Sequence, residues 1–399
     1  MGDHALLSAS GAHKWMNCTP SARLEETMPE STSTYADEGR LAHEIAELKL
    51  RKQFTEPMGL RSYNSKLKKL QENKLYSPEM LVYTDAYLDY ISGLVHSFQS
   101  RPYIAVEKKL DFSAYVNEGF GTGDCIVIGD NTLYVIDLKY GKGVPVFAET
   151  NPQMMLYALG AYEAYSFLYN IEKIKMVIIQ PRLDNISEFK VDVFDLIEWG
   201  EFIKPIAQKA FAGEGEFVSG EHCRFCRAKA KCRARSEFNL QIQDYKGLKP
   251  PLISNEEVGQ ILLKAKDLSK WISDLEEHAL SECLAGNEVP GWKAVEGRSV
   301  RQFKDSDMAF NTLMQNGIEE TMLYERKPIT LTGVEKMLGK AKFNELLAEQ
   351  VNIPKGEPSL VPASDKREPF KRSSAAEEFK EVSNEDFARL LEENKDLPY

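Results

Sequence analysis

The chain has 399 residues, 43% hydrophobic and 28% charged, with 61 acidic against 50 basic side chains and a formal net charge of −11. That composition belongs to a globular protein with chain enough for two or three domains, and it excludes a wholly disordered, collagenous or coiled-coil protein. No apolar run approaches the roughly 18 residues of a membrane helix, and MGDHALLSASGAHKW at the start is unlike a secretory leader. A soluble, cytoplasmic protein is therefore expected. The acidic balance argues against a surface coated in basic groups for nucleic acid, though not against a local basic groove.

Residues 34–52 read as an amphipathic helix, with Leu41, Ile45 and Leu48 at helical spacing. Residues 55–75 are polar and basic and suit a loop or short helix. Residues 78–100 suit a second long helix, with Pro78 at its start. The pattern then turns to strands over 103–110, 123–129 and 132–139. The last two are almost continuously apolar, as strands buried on both faces are, and Asp130-Asn131 between them is good turn chemistry. A helix over 151–168, a buried strand over 173–181, a strand over 186–194 and a helix over 195–213 follow. Helix, three strands, helix, strand implies an α/β fold in which a mixed central sheet is flanked by helices.

Beyond the sheet, residues 221–236 are basic and rich in cysteine. Residues 254–285 suit a further amphipathic helix, 291–303 a hairpin, and 306–352 small helices. Residues 353–374 have the composition of a linker, and 375–399 that of an acidic tail. The division expected is 1–236, then a mainly helical 237–352, then 353–399. No G-x-x-x-x-G-K-[ST] loop is present, the nearest approach being Gly333 to Gly339-Lys340, so the chain carries no helicase motor.

If Asp130-Asn131 is a two-residue hairpin loop, Gly129 pairs with Thr132, and Asp124 then lies opposite Asp137. Opposed residues share a face with Cβ atoms about 5 Å apart. Lys139, two residues on, shares it too. Two carboxylates this close among apolar neighbours need pairing or a metal, and a divalent cation suits two aspartates. A lysine beside them can orient or deprotonate a water, or stabilise charge developing on phosphorus. A salt bridge at a strand end is the plainer alternative.

Gly123-Asp124 followed by Asp137-Leu138-Lys139 on the next strand resembles the core of the PD-(D/E)XK nucleases, and more narrowly their RecB-like exonuclease branch. That branch has a histidine on an upstream helix, matched by His43, and a Q-x-x-x-Y motif on the helix after the lysine, matched by Gln153 and Tyr157. The resemblance implies a restriction-endonuclease-like core. It implies that Asp124 and Asp137 bind Mg²⁺ or Mn²⁺, with His43 as a further metal ligand or phosphate contact. It implies that Lys139 positions the attacking water, and that Gln153 and Tyr157 contact substrate or support the site. Glu107, one strand earlier, could add a carboxylate, but an exposed charge at a strand end is the reading preferred here. Gly141 and Gly143, in the basic run after Lys139, would let backbone approach a phosphate, and a flexible surface loop explains them equally well.

Cys223, Cys226 and Cys232 form C-x2-C-x5-C, a poor match to a zinc ribbon. A four-thiolate site needs one more cysteine. Cys18 is the candidate, because Cys125 falls inside the sheet and Cys283 on an apolar helix. The pattern is similar to that of RecB-like nucleases of the AddB type, in which one cysteine before the core and three after it hold a [4Fe-4S] cluster. The resemblance implies such a cluster here, a structural staple closing a loop of about 200 residues. Zinc, with His222 as a substitute ligand, is the competing reading.

The resemblance covers roughly residues 1–236 and looks like stand-alone phage or prophage proteins of this branch. It implies a Mg- or Mn-dependent deoxyribonuclease, an exonuclease of phage replication or recombination. DNA would be its substrate, and a single-strand-binding protein, recombinase or helicase a possible partner. No membrane role is implied. The alternative from another class is a non-catalytic nucleic-acid or replisome-binding protein that kept the fold. For the C-terminal region the expectation is a helical appendage and a tail, with KREPFKR (366–372) as a weak nucleic-acid contact.

Overall fold

The computed structural model describes residues 5–29, 34–241, 254–295 and 306–315, with a short helix and a few single positions between 319 and 347. It divides into two compact units, Met1–Ala294 and Val295–Tyr399. The linker, the acidic tail and KREPFKR lie outside the described residues, as does most of the expected hairpin at 291–303.

The first unit opens with two short helices, α1 (Ala12–Asn17) and α2 (Ser21–Glu26), and continues with α3 (Thr34–Leu50), α4 (Leu60–Gln71) and α5 (Glu79–Ser97). The sheet follows as β1 (Tyr103–Asp111), β2 (Phe120–Gly129) and β3 (Thr132–Leu138), then α6 (Pro152–Tyr165), β4 (Lys173–Gln180), β5 (Asn185–Asp192) and α7 (Val193–Ala212). Helices α8 (Arg233–Leu240) and α9 (Asn255–Leu284) complete the unit. In the second unit, Ser306–Gln315 and Lys340–Leu347 are helical.

The five strands lie in chain order, with β3 and β4 parallel and every other pair antiparallel. This is the mixed sheet expected. Only the β3–β4 step needs a crossover, and α6 supplies it. Asp130 and Asn131 both take positive φ, 48° and 55°, the conformation of a type I′ turn. That turn locks Gly129 against Thr132 and Cys125 against Ile136.

Helices cover both faces. Ile126, Ile128, Leu133, Val135, Met176 and Ile178 pack into one core with α6, α7 and the N-terminal helices. Val106, Cys125, Val127, Ile136, Val177 and Ile179 face α3 and α5. The inner strand β4 is buried along nearly its whole length, whereas the edge strand β5 alternates half-buried and exposed residues, as a strand covered on one face must.

The expected boundary at 236/237 falls inside the first unit. Helix α9 packs on α8 through Arg235, which is only 1% exposed. Its Nη1 lies 2.6 Å from Asp274 and its Nη2 3.3 Å from Asp267. The Trp271 indole donates to the Ala230 carbonyl. Among the described residues no helix is long and apolar enough to cross a membrane.

Candidate active site and cysteine centre

Asp124 and Asp137 occupy the opposed positions that continue the β2–β3 ladder one step past Cys125 and Ile136. Asp137 is 2% exposed. Lys139 Nζ lies 3.0 Å from its Oδ2, an ion-pair distance at an angle that leaves Oδ2 without a hydrogen bond. Gln153 joins the three groups. Its Oε1 accepts from Lys139 Nζ at 2.9 Å, and its Nε2 donates to Asp137 Oδ1 at 3.3 Å and to the Tyr157 hydroxyl at 3.4 Å. Gln153 is held in place by the start of its own helix. The Asn151 side chain caps α6 by accepting from the Gln153 and Met154 amides, and Pro152 occupies the first turn. Tyr157 is buried.

Asp124 turns toward the other layer. Its Oδ2 accepts from the Leu138 amide at 2.7 Å, and its Oδ1 lies 3.4 Å from His43 Nδ1 on α3. Glu107 completes this side. The pairs Val106–Cys125 and Lys108–Gly123 place it directly opposite Asp124, and the candidate ligand atoms of His43, Glu107 and Asp124 all lie within 4.8 Å of one another. The exposed strand-end charge expected for Glu107 is thus corrected to a half-buried member of the site.

A local break in the sheet explains the placement. Along β1 the residues facing α6 pass from Ala105 to Leu110. Along β2 they pass from Gly121 and Gly123, whose Cβ positions would meet Tyr157 and Leu110, to Ile126 and Ile128. Strict alternation would keep one parity, so both strands change face at Glu107 and Asp124. Glu107 has a φ of 50°, unfavourable for a residue with a Cβ. A Cβ at Gly123 would come within 2.8 Å of Leu110 Cδ1, which places Gly123 on the α6 side of the break.

The electrostatics separate the two aspartates. Burial pushes both carboxyls up. For Asp124 the charge and hydrogen bond of His43, with the Leu138 amide, win and hold it below its usual value. For Asp137 burial and the Asp124 charge outweigh Lys139 and leave it raised. Burial opposes charging of His43, but Asp124 and Asp137 outweigh it and raise the imidazole to about 9. Burial, then the Asp124 charge, raises Glu107 to about 7. A divalent cation fits this donor set: clustered oxygen donors with one imidazole, and three carboxylates gathered where two are buried.

The loop after Lys139 is pinned. The buried Gln180 amide donates to the Gly141 and Val144 carbonyls at 2.7 and 2.9 Å and accepts from the Val146 amide at 3.1 Å. Gly141, Lys142 and Gly143 remain exposed at its tip, and neither glycine takes positive φ.

The cysteines form a second centre. Cys18, Cys223, Cys226 and Cys232 line one cavity, with His222, Lys14 and Lys229 at its wall. Cys18 caps α1, Cys223 lies in a short 3₁₀ turn, and Cys232 caps α8. The Gly220 amide points at Cys223 Sγ from 3.5 Å. Burial pushes the Cys226 thiol up to about 12, against an amide hydrogen bond from Ala228. His222 hydrogen-bonds Cys18, which raises its pKa, and its Nε2 lies 2.8 Å from the Val218 carbonyl. The N-terminal helices meet the residues after α7 here through further links. Thr19 donates to the Glu214 carbonyl, Arg23 to that of Phe211, and the Arg227 amide to the Glu25 carboxylate, itself 2.5 Å from Lys14. Four sulfur donors line one cavity, but no three of them lie within 4.8 Å of one another as the donors of His43, Glu107 and Asp124 do.

Sequence spacing found Asp124, Asp137, Lys139 and the three clustered cysteines; His43, Gln153, Tyr157 and Cys18 were matched through the family pattern. Lys139, Gln153 and Tyr157 gather at Asp137 and His43 stands at Asp124, but Asp124 turns to the α3 side instead of sharing a face with Asp137 as expected. Glu107 was undervalued. Its signal is the β1–β2 register, which the eight residues between the strands do not reveal.

Two solved structures are similar to parts of the chain. The crystal structure of SSO0001 is 19% identical, covers 54% of this chain and 95% of its own, and has a TM-score of 0.24. A protein described as a "putative exonuclease" from Eubacterium rectale is 11% identical, covers 62% and 90%, and has a TM-score of 0.33. The model of one family spans residues 4–368, nearly the whole length, and the chain accordingly belongs to the family described as "Protein of unknown function (DUF2800)".

Proposed function

We propose that the protein is a Mg²⁺- or Mn²⁺-dependent deoxyribonuclease, an exonuclease hydrolysing phosphodiester bonds. The observation that carries the reading is the convergence of His43, Glu107 and Asp124 within 4.8 Å beside the Asp137–Lys139 pair at 3.0 Å. A salt bridge at a strand end would need neither the histidine nor the third carboxylate. Asp124, Asp137, His43 and Glu107 would hold the cation. When bound, it supplies Lewis-acid activation of a water and of the scissile phosphate.

Lys139 is set to orient the attacking water and to offset charge developing on the phosphate. Its ammonium is held by Asp137 and Gln153 rather than left to swing. Gln153 and Tyr157 serve as positioning groups: Tyr157 is buried, and Gln153 spends its amide on Lys139, Asp137 and Tyr157. His43, with its imidazole raised to about 9, must shed its proton to act as a ligand, so cation binding would release protons.

For the cysteine centre we propose a structural [4Fe-4S] cluster held by Cys18, Cys223, Cys226 and Cys232. Four cysteine sulfurs at one cavity, and the links between the N-terminal helices and the residues after α7, support it. Iron and acid-labile sulfide in anaerobically purified protein are expected, and one zinc per chain without iron overturns it.

The nuclease reading is tested by incubating anaerobically purified protein with Mn²⁺ or Mg²⁺ and linear or circular DNA, single- and double-stranded, beside Lys139→Ala. Degradation by the wild type, falling at least about 10³-fold in the variant, is expected. Survival of circular DNA would establish the need for an end. No cleavage by folded, metal-replete wild type overturns the reading in favour of a binding protein that kept the fold.

A further inference from the structure

Helix α4 plays no part in the chemistry above, yet its sequence is unusual for this chain. Residues 51–74 carry seven lysines and arginines against two glutamates, a local charge of +5 in a protein of net −11. The helix is strongly two-faced. Tyr63, Leu67 and Leu70, at helical spacing, are half-buried, while Lys66, Lys68 and Lys69 are exposed.

Its apolar edge packs on α3, which carries His43, within a cluster that also holds Tyr140. Leu67 and Leu70 belong to one cluster with Leu41, Ala42 and Ile45 of α3, the residues around His43, and with Tyr140, which directly follows Lys139. Lys52 Nζ, at the end of α3, stacks 3.9 Å over the Tyr63 ring. A basic amphipathic helix can also lie on an anionic membrane, but that requires a free apolar face. Here Leu67 and Leu70 of that face are spent on the cluster, and only Leu60, at the start of the helix, is left as a largely exposed leucine. The charged side is on offer, beside the helix that carries His43.

We propose that the outer face of α4 is a docking track for the phosphate backbone of nucleic acid, set beside the carboxylate site so that a strand bound along Lys66, Lys68 and Lys69 is delivered toward Lys139. The inference rests on the nuclease reading for what happens to the strand, not for its binding. It accommodates an acidic protein, because the basic charge is local rather than spread over the surface.

The test compares wild type with the triple variant Lys66→Gln, Lys68→Gln, Lys69→Gln, and with Lys209→Gln on α7 as a remote control. Binding to a short DNA duplex is measured in EDTA across a salt series, so that no cleavage is required. Glutamine and lysine have similar helix propensities, and an unchanged melting curve confirms folding. Each phosphate contact contributes about 0.9 to the slope of log affinity against log salt. The triple variant should lose about 2 to 3 of that slope and about tenfold or more in low-salt affinity, with the control unchanged. In cleavage assays KM for DNA should rise while kcat holds.

An unchanged slope and affinity, or a wild type that binds no DNA at low salt, overturns the track. So does polyglutamate displacing DNA at equal charge concentration, which would make the face a site for acidic proteins. The two readings fail separately. Binding that depends on α4 without cleavage removes the nuclease and keeps the track; cleavage with unaltered KM in the variant does the reverse.

Discussion

The carboxylate site draws Glu107, Asp124 and Asp137 from three adjacent strands, whereas the cysteine centre joins residue 18 to residues 223–232 across nearly the whole first unit. In the first, the sheet brings the charges together whether or not a cation is present. Each is partly answered by protein: Lys139 and Gln153 at Asp137, His43 and the Leu138 amide at Asp124. In the second, short helices and turns present four thiols to a cavity, and links such as Thr19–Glu214 and Arg227–Glu25 add to the core packing of the N-terminal helices on α7. The contrast separates two jobs for a metal. At the sheet it would be added to a finished scaffold; at the cysteines it would help finish one.

Cys18→Ser is the sharpest way to break that contrast. If the centre staples the N-terminal helices to the residues after α7, its loss returns the entropy of a long loop to the unfolded chain, about 4–5 kcal/mol by analogy with a disulfide over a comparable span. For a unit of this size that corresponds to a fall in Tm of about 7 °C. Removing divalent cations with EDTA should instead abolish cleavage and move Tm far less. Equal, small shifts in both experiments would show that the cysteines are not a staple.

Arg235→Ala sharpens the same side with a smaller effect. The guanidinium is buried against Asp267 and Asp274, and Asp274 also holds Lys229 at 2.8 Å in the cysteine loop. Removing it takes the buried cation from two aspartates, 31% and 14% exposed, and leaves Asp274 with Lys229 and Asp267 with Asn239. A loss of about 3 kcal/mol in denaturant unfolding is expected. Hydrogen exchange should accelerate in α9 and around Lys229, with cleavage by the folded protein unchanged. Cleavage falling in step with stability would tie the two centres more tightly than their geometry does.

The same contrast governs what could be read from sequence. The β2–β3 hairpin was legible because a two-residue turn sets register arithmetically, and with it the Asp124–Asp137 opposition. Helices 34–50, 79–97 and 255–284 were legible from periodicity and from Pro78. Glu107 was not, because its position depends on a strand pairing that no short turn specifies and on a face change at φ 50° that alternation argues against. Arg235 reads as one more base in a basic run; its burial against α9, and hence the longer first unit, follows from tertiary packing alone. The loop after Lys139 reads as mobile from its glycines, and Gln180, some forty residues on, pins it.

The smallest effect expected lies at His43. Its imidazole is raised from 6.5 to about 9, chiefly by Asp124 acting against burial. In the cation-free protein the folded state therefore holds a proton that the unfolded chain releases near 6.5. This contribution to stability is fully present below pH 6.5 and is lost as pH rises through 9. With the side chain 32% exposed, it is discounted for screening to about 2 kcal/mol. Melting in EDTA should thus show Tm declining from pH 6.5 to 9 in the wild type, and the decline should flatten in His43→Gln. Saturating Mn²⁺ should flatten it too, because a cation on Asp124 replaces the proton that His43 would otherwise keep. A decline that persists in His43→Gln would assign the pH dependence to another group and remove the argument that the sheet site holds a proton where it is built to hold a metal.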